Sequence, residues 1–153
     1  MHRMIRTRCR LLAAVAALLA AAALTAHGAG GAAVREVGPY AVHYNAMPAS
    51  DLDPSLAERH GLPRGGDRCV VTVAVMERDS GAAVEAGVMG SATRPDGRMH
   101  RLDMREIRDE GGVYYVGVLP LETSARLEFK LEVRPAPAMP PQTIRFTREF
   151  PGR

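Results

Sequence analysis

The chain has 153 residues, with 20 lysine and arginine residues against 17 aspartate and glutamate residues, for a formal net charge of +3 at pH 7. Hydrophobic residues make up 46% of the sequence, and tryptophan is absent from it. This length is enough for one folded unit with its own core. The basic excess would suggest a polyanionic partner. It comes from the N-terminal segment of the chain, however, and this position excludes that interpretation.

The first 26 residues predict a secretory signal peptide. Residues 1–10 contain four arginines and no acid, and residues 11–26 are Leu, Ala and Val, broken only by Thr25. A cationic end followed by an apolar run and small residues is the layout of such a peptide. We expect cleavage within residues 23–30, which leaves a periplasmic protein without a stable membrane anchor.

Removing this segment changes the apparent chemistry of the protein. The remainder has 16 basic and 17 acidic residues, so it offers no net positive field for nucleic acid. Cys9 leaves with the signal, so Cys69 is alone and an intramolecular disulfide is excluded. Cys69 alternates with Val71, Val73 and Val75, which predicts a small buried apolar residue. A reactive or intermolecular thiol is the alternative.

The next part of the chain predicts a lead-in, a strand and a short helix. Residues 27–35 are rich in Gly and Ala and predict a flexible segment, and residues 36–151 predict a single domain. Apolar residues alternate from Tyr40 to Asn45, as expected for a first strand. Asp53 is placed to cap a helix with Pro54 at its first position, and Gly61 is placed to end it.

The remainder of the sequence predicts six further strands. Residues 68–77 are almost wholly apolar and β-branched, which indicates a central strand covered on both faces. Turn signals at 94–97 and 109–112 separate further strands, predicted at 83–93, 98–108, 113–119, 126–134 and 143–150. Seven strands with one short helix between the first two predict an all-β, immunoglobulin- or fibronectin-like antiparallel sandwich.

Three segments carry a resemblance to a known family. They are Tyr-Ala-Val-His-Tyr-Asn-Ala at 40–46, Asp-Pro-Ser-Leu-Ala-Glu-Arg-His-Gly-Leu at 53–62 and Val-Tyr-Tyr-Val-Gly at 113–117. With the hydrophobic strand between them, they resemble an exported proteobacterial family known as a domain of unknown function, DUF4426. The resemblance covers nearly all of residues 36–151. It implies a periplasmic sandwich and supplies no activity and no catalytic residues.

Residues 77–135 carry a second resemblance. A Gly-x-x-Val segment, a Pro-Asp-Gly hairpin and the Gly-Gly-Val-Tyr-Tyr-Val-Gly strand are similar to immunoglobulin-like modules of the cupredoxin-assembly type. That resemblance implies copper handling, and imidazole and thioether groups suit copper. The candidate metal ligands are His27, His43, His100 and Met104. His27 qualifies if cleavage exposes its amine, and the alternative for His100 and Met104 is ordinary packing at the edge of the core.

A second candidate site groups two residues of the first strand with one residue of the helix. His43 and Asn45 lie on the face opposite Tyr40 and Tyr44, and with His60 they are candidates for a polar binding patch. Alternatively, Asn45 bonds the backbone of residues 47–51 and holds that loop in place. Serine-hydrolase, metalloprotease, phosphate-loop and dinucleotide motifs are absent from the sequence, so no catalytic residue is predicted.

The sequence therefore predicts a non-enzymatic periplasmic accessory or interaction module. Its contact surface is expected at residues 45–66, because that segment departs most from a plain sandwich. The expected partner is an unidentified periplasmic or envelope protein, and no cofactor is predicted. The alternative function is copper handling, with copper as the bound metal.

Overall fold

A computed structural model describes residues 31–122 and 124–151 of the chain; the predicted signal peptide and His27 lie outside these ranges. Nine strands form this part: β1 (Ala33–Val37), β2 (Tyr40–Pro48), β3 (Arg68–Glu77), β4 (Gly87–Thr93), β5 (Met99–Leu102), β6 (Arg105–Asp109), β7 (Gly112–Pro120), β8 (Ala125–Arg134) and β9 (Gln142–Phe150). A 3₁₀ turn (Ala49–Asp51) and helix α1 (Pro54–His60) connect β2 to β3. Across these ranges, no helix is both long enough and apolar enough to cross a bilayer.

The strands form two antiparallel sheets. Sheet A has the order β1-β2-β3-β7-β6, and sheet B has the order β5-β4-β8-β9. The predicted all-β sandwich with one short helix is confirmed. The strand count is nine rather than about seven, because one strand was not predicted and one predicted strand is divided in two.

The strand that was not predicted is β1. It pairs with β2 along its whole length, from Ala33 opposite Tyr44 to Val37 opposite Tyr40. Val37 is buried in the main core. The flexible segment expected at residues 27–35 therefore extends too far toward the C-terminus, because β1 begins at Ala33. The local sequence does not indicate this strand, because the strand is stabilised by its pairing with β2.

The predicted strand 98–108 is in fact two strands in different sheets. The chain leaves sheet B after Leu102 and joins sheet A at Arg105. It crosses directly over Gly117 of β7, where an added Cβ would lie 2.6 Å from Met104 Sδ and 3.2 Å from Leu102 Cβ. The crossing therefore packs closely on position 117, and a larger side chain there would have to displace Met104 and Leu102. The two-residue spacing of Leu102 and Met104 predicts a single strand, whereas Ile107, five residues after Leu102, lies outside the main core on the outer face of sheet A.

The main core lies between the two sheets. Phe129 is fully buried, and its ring stacks on Phe146 with centroids 5.0 Å apart; Tyr44 of sheet A lies 5.0 Å from the same Phe146 ring. Cys69 is also fully buried, and burial raises the pKa of its thiol to about 12. The prediction that Cys69 is a small buried residue is confirmed.

A second apolar cluster covers the outer face of sheet A. Val70, Ile107 and Val116 point away from the main core, and the connection from β2 to β3 packs on them with Ala49, Leu52, Ala57 and Leu62. Strand β3 is thus covered on both faces, as its continuous apolar sequence predicts.

Helix α1 has the predicted ends. Asp53 Oδ1 accepts hydrogen bonds from the backbone N–H groups of Ser55 at 2.9 Å and Leu56 at 3.1 Å. Pro54 is the first helical residue, and Gly61 takes the left-handed conformation at φ 60° that ends the helix. These caps fix where the connection enters and leaves the helix.

Candidate functional site at the helical connection

A polar cluster joins the end of α1 to strand β6. Asp109, the last residue of β6, lies with its Oδ2 3.1 Å from His60 Nε2 and 3.2 Å from Arg59 Nη1. Arg105, at the start of β6, donates from Nη2 to the backbone carbonyl of His60 at 2.6 Å. The helix is therefore attached to both ends of β6. Basic residues in the last helical turn also complement the helix dipole.

The environment of Asp109 favours its charged form. A hydrogen bond from the backbone N–H of Glu110, 2.7 Å long, holds the pKa of the Asp109 carboxyl below its usual range. The contact with His60 and the charge of Arg59 lower this pKa further. A carboxylate that stays ionised is suited to holding a cationic side chain, and it is a poor general acid near neutral pH.

Tyr114 lies beside this cluster. Its ring meets the His60 ring edge-on, with centroids 6.2 Å apart. Within the described ranges its hydroxyl is buried and makes no hydrogen bond, and burial raises the pKa of the phenol. A histidine–carboxylate pair beside a phenol can in principle exchange protons, but here the His60 and Asp109 side chains are used to hold the helix.

Sequence reasoning identified His60 and missed Asp109, Arg105, Arg59 and Tyr114. These residues come from β6, β7 and the helix, and only the tertiary structure brings them together. One sequence signal was available: Arg59 and His60 immediately precede the capping glycine, where cationic residues often interact with a nearby carboxylate.

His43 and Asn45 lie at a different place on sheet A. His43 is opposite Val34 of β1 and Ala74 of β3, on the outer face, and partial burial lowers the pKa of its imidazole. Asn45 Oδ1 accepts hydrogen bonds from Arg148 Nη2 and from the backbone N–H of Ala46, both at 2.9 Å. Asn45 therefore links β2 to β9 of the other sheet instead of bonding the backbone of residues 47–51.

The structure does not bring the three predicted binding residues together. His43 and Asn45 are on β2, whereas His60 contacts β6, and β3 and β7 lie between those strands. Three strand spacings amount to roughly 14 Å, so one small ligand would not contact His60 together with His43 and Asn45. Among the three, His60 alone belongs to the cluster at the helical connection.

The predicted metal ligands are also dispersed. His100 lies on β5 opposite Ala92, and Met104 lies in the crossing between β5 and β6 at Gly117. The fully covered Leu102 separates them along the chain, and His43 is in the other sheet. In residues 31–122 and 124–151, no three His, Cys, Asp or Glu side chains converge as metal ligands.

An ion pair between a buried arginine and an exposed glutamate lies just after β4 of sheet B. Arg94 follows β4 and is only 8% exposed, and its Nη1 lies 2.8 Å from Glu122 Oε2. The backbone N–H of Gly97 donates to the Arg94 carbonyl at 2.9 Å, which closes the predicted turn at 94–97. A buried guanidinium requires such a partner, so we assign this pair a structural role.

These features define an antiparallel β-sandwich with a helical connection packed on one sheet. Over residues 34–151 the chain matches the family described as a domain of unknown function, DUF4426, and it belongs to that family. It is similar to the crystal structure of a DUF4426 family protein from Pseudomonas aeruginosa PAO1, with 33% sequence identity and a TM-score of 0.70. That likeness covers 80% of this chain and 97% of the other.

Two structures of FetP from uropathogenic Escherichia coli strain F11 share the fold at lower identity. A copper-bound variant is 8% identical, with a TM-score of 0.58, over 81% of this chain and 97% of that chain. The 'as isolated' protein is 9% identical, with a TM-score of 0.59, over 81% and 96%. A comparison with curated protein sequences finds no match.

Proposed function

We propose that the protein is an exported, non-enzymatic accessory module that binds a protein partner through residues 45–66. One observation carries this proposal: the connection between β2 and β3 is held rigidly on the outer face of sheet A. Its apolar residues are buried there, and His60, Arg59 and Arg105 tie its helix to β6. A surface held in one conformation loses less entropy when it binds.

The solvent side of this connection offers mixed charge. Asp51, Glu58, Arg59 and Arg64 are exposed along it, while Ala57 faces the sheet. Charges of both signs suit a protein surface with complementary charges, and they do not suit a polyanion. We therefore infer that the partner is a folded periplasmic or envelope protein.

The ionisable groups of the cluster support a non-enzymatic role. Asp109 is engaged by His60 and Arg59, and Arg105 is bonded to the His60 carbonyl. Each of these groups contributes to attaching the helix. A structural role therefore accounts for their arrangement.

The test changes only the exposed side of the connection. Glu58→Lys combined with Arg64→Glu should leave the thermal unfolding curve unchanged, because both side chains are exposed, and should remove partner binding. A photo-reactive residue in place of Glu58 should crosslink a defined envelope protein in the native host, whereas the same residue at Glu132 on sheet B should not. Equal crosslinking at both positions, or partner binding that survives the charge reversals, would refute the assignment.

The export of the protein is tested by a separate measurement, its intact mass. Residues 1–26 have the pattern of a signal peptide, so the intact mass of the protein recovered from the periplasm should correspond to a first residue within 24–31. Recovery of the uncleaved chain from the cytoplasm would contradict this part of the proposal.

Copper binding is the second candidate function, because a copper-bound variant of FetP shares the fold. On this chain the donors to test are His43, His100 and Met104, together with His27 if cleavage exposes it. Metal analysis of protein recovered from the periplasm with its natural terminus is the decisive measurement. Stoichiometric copper that is lost in a His100→Ala variant would favour this candidate. A native protein without stoichiometric copper would favour the interaction module.

A further inference from the structure

Strand β9 is a long sheet edge. It has nine residues, and within the described part of the chain it pairs with β8 alone. Its pairing with β8 is regular from Ala125 opposite Phe150 to Val133 opposite Gln142. A straight, regular edge exposes a row of backbone donors and acceptors that another strand can use.

The order of residues along β9 is complementary to itself. Two copies paired antiparallel about a twofold axis at Thr147 would place Arg145 of one copy opposite Glu149 of the other, on both sides of the axis. On the inner face, Ile144 would meet Phe150 of the other copy. The axis position itself would hold a Thr–Thr pair, which is a favourable cross-strand combination.

Neighbouring registers lack this match. A twofold axis at Arg145 or at Arg148 would place each arginine opposite its own copy, and like charges directly opposite each other are destabilising. An axis at Phe146 would place Arg145 opposite Thr147 and would form no pair of opposite charges. The sequence of β9 therefore selects the axis at Thr147.

The charges on β9 are available for this contact. Arg145 Nη1 lies 3.8 Å from Glu128 Oε1, and Glu149 Oε1 lies 3.6 Å from Arg126 Nη1; all four side chains are at least 60% exposed. Pairing about Thr147 would extend these contacts into a ladder that runs from Arg126 through Glu149 to Arg145 and Glu128 of the second copy. Each charge in that ladder adjoins a charge of opposite sign.

Strand β6 is the competing edge, because its sequence Arg-Glu-Ile-Arg-Asp is also self-complementary. Its charges, however, are already engaged within the chain. Asp109 is held by Arg59 and His60, and Arg108 Nη2 lies 2.7 Å from Glu106 Oε1 and 2.5 Å from Glu85 Oε1. Strand β6 also has five residues against nine for β9, so it offers a shorter edge.

Sheet A leaves room for the second copy. Strands β2 and β9 run in the same direction, since Tyr44 contacts Phe146 and Asn45 contacts Arg148. Strand β1 pairs with β2 from Tyr40 to Tyr44, so it lies on the Gln142 side of Thr147. In a dimer with its axis at Thr147, the two β1 strands would lie over opposite halves of the paired edges.

We propose that the protein forms a homodimer through antiparallel pairing of β9 with β9 of a second copy, centred on Thr147. The dimer would join two copies of sheet B into one eight-stranded sheet. This edge contacts residues 45–66 through the hydrogen bond from Arg148 to Asn45, but pairing of β9 does not use the exposed side of that connection, so the proposal does not depend on the function proposed above.

Charge reversal tests the register, using the chain expressed from its complete coding sequence. Analytical ultracentrifugation from micromolar to millimolar concentration should show dimers for the native protein. Arg145→Glu and Glu149→Arg should each be monomeric, with unchanged circular dichroism. An equimolar mixture of these two variants should dimerise again, because each Glu then faces an Arg. Arg101→Glu, on the other edge strand of sheet B, is the matched control and should remain dimeric.

A cysteine at the axis gives an independent readout. In a Cys9→Ser background, Thr147→Cys should form a disulfide-linked dimer under mild oxidation, since opposed Cα atoms in a sheet are about 4.5–5.5 Å apart and disulfides accept that distance. Thr143→Cys should not, because its own copy would be roughly 27 Å away along the strand. A native protein that stays monomeric throughout, a dimer unaffected by Arg145→Glu, or a mixture that stays monomeric would overturn the proposal.

Discussion

The outer faces of the two sheets differ in what covers them. On sheet A, Val70, Ile107 and Val116 lie beneath the helical connection. On sheet B, the corresponding face of β8 carries Glu128, Lys130 and Glu132, which are exposed or half-buried. The same sandwich thus presents one apolar face that needs a cover and one charged face that does not.

This difference originates in the strand sequences. Strand β3 is apolar at nearly every position, so both of its faces must be buried. Strand β8 alternates apolar and charged residues, so one face enters the core and the other meets water. The connection from β2 to β3 is therefore best understood as the cover that the outer face of sheet A requires. Four experiments test this difference between the sheets, in order of decreasing expected effect.

Truncation of a side chain in the main core should have the largest effect on stability. Phe129→Ala removes a fully buried ring that packs against Phe146, and the free energy of unfolding should fall by about 3–5 kcal/mol. Glu128→Ala, the adjacent position on the charged face, should change it by less than about 0.5 kcal/mol. Urea unfolding of both variants measures this contrast. Similar losses at the two positions would mean that the faces of β8 are not distinct.

Removing the cover should have an intermediate effect. Ala57 is 1% exposed, so Ala57→Asp places a carboxylate against Val70, Ile107 and Val116 and should cost roughly 1–3 kcal/mol. We expect faster hydrogen exchange in residues 54–62 and increased binding of a hydrophobic dye, while the strand signal in circular dichroism persists. Glu58→Asp is the exposed control. Unchanged dye binding would show that the outer face of sheet A does not need the helix.

Strand β3 also supplies a pH-dependent effect. Burial raises the pKa of the Cys69 thiol to about 12, against about 9 in an unfolded chain. The stabilisation of the neutral thiol is therefore fully present below about pH 9 and is lost as the pH rises toward 12. Chemical denaturation should show the stability of the native protein declining relative to Cys69→Ala over that range. Rapid modification of the thiol in the folded protein at pH 8 would contradict its burial.

The smallest effect is expected at the attachment of the helix. His60→Ala removes one contact between α1 and β6, and Asp109→Asn removes the charge from two, so hydrogen exchange in residues 54–60 should accelerate while global unfolding changes little. Because the folded-state pKa of Asp109 is lowered, its contribution is present above the ordinary carboxyl pKa and is lost as the pH falls through the folded value. The native helix should therefore lose protection on acidification below about pH 4, and Asp109→Asn should show no such dependence. Identical acid behaviour in the two proteins would rule out this role for Asp109.

Local patterns in the sequence were sufficient for much of the fold. The sandwich class, the ends of α1, the turn at 94–97 and the two-sided burial of β3 follow from alternation, capping residues and continuous apolar runs. Strand β1 could not be predicted this way, since its stability comes from pairing with β2. The crossing at Gly117 was also missed, because the two-residue spacing of Leu102 and Met104 is typical of a single strand, although Leu102 and Ile107 belong to different sheets and pack in different clusters.

The candidate site was predicted less completely than the fold. Sequence position suggested His43, Asn45 and His60 as one patch, but β3 and β7 keep the first two apart from His60. The cluster that does form needs Asp109, Arg105 and Tyr114, which are distant from the helix in sequence. Their assembly follows from which strands become neighbours, and local periodicity carries no information about strand order.

The order of residues along the chain is enough to define which faces are apolar, where the chain turns and where the short helix begins and ends. These are local properties, fixed by side-chain polarity and by the conformational preferences of Pro, Gly and Asp. Three further features arise from the packing of the two sheets: the helix covers the outer face of sheet A, Asp109 holds it there, and β9 is left at an edge. Those outcomes depend on contacts between residues far apart in the chain, whose free energy is gained only when the two sheets pack together.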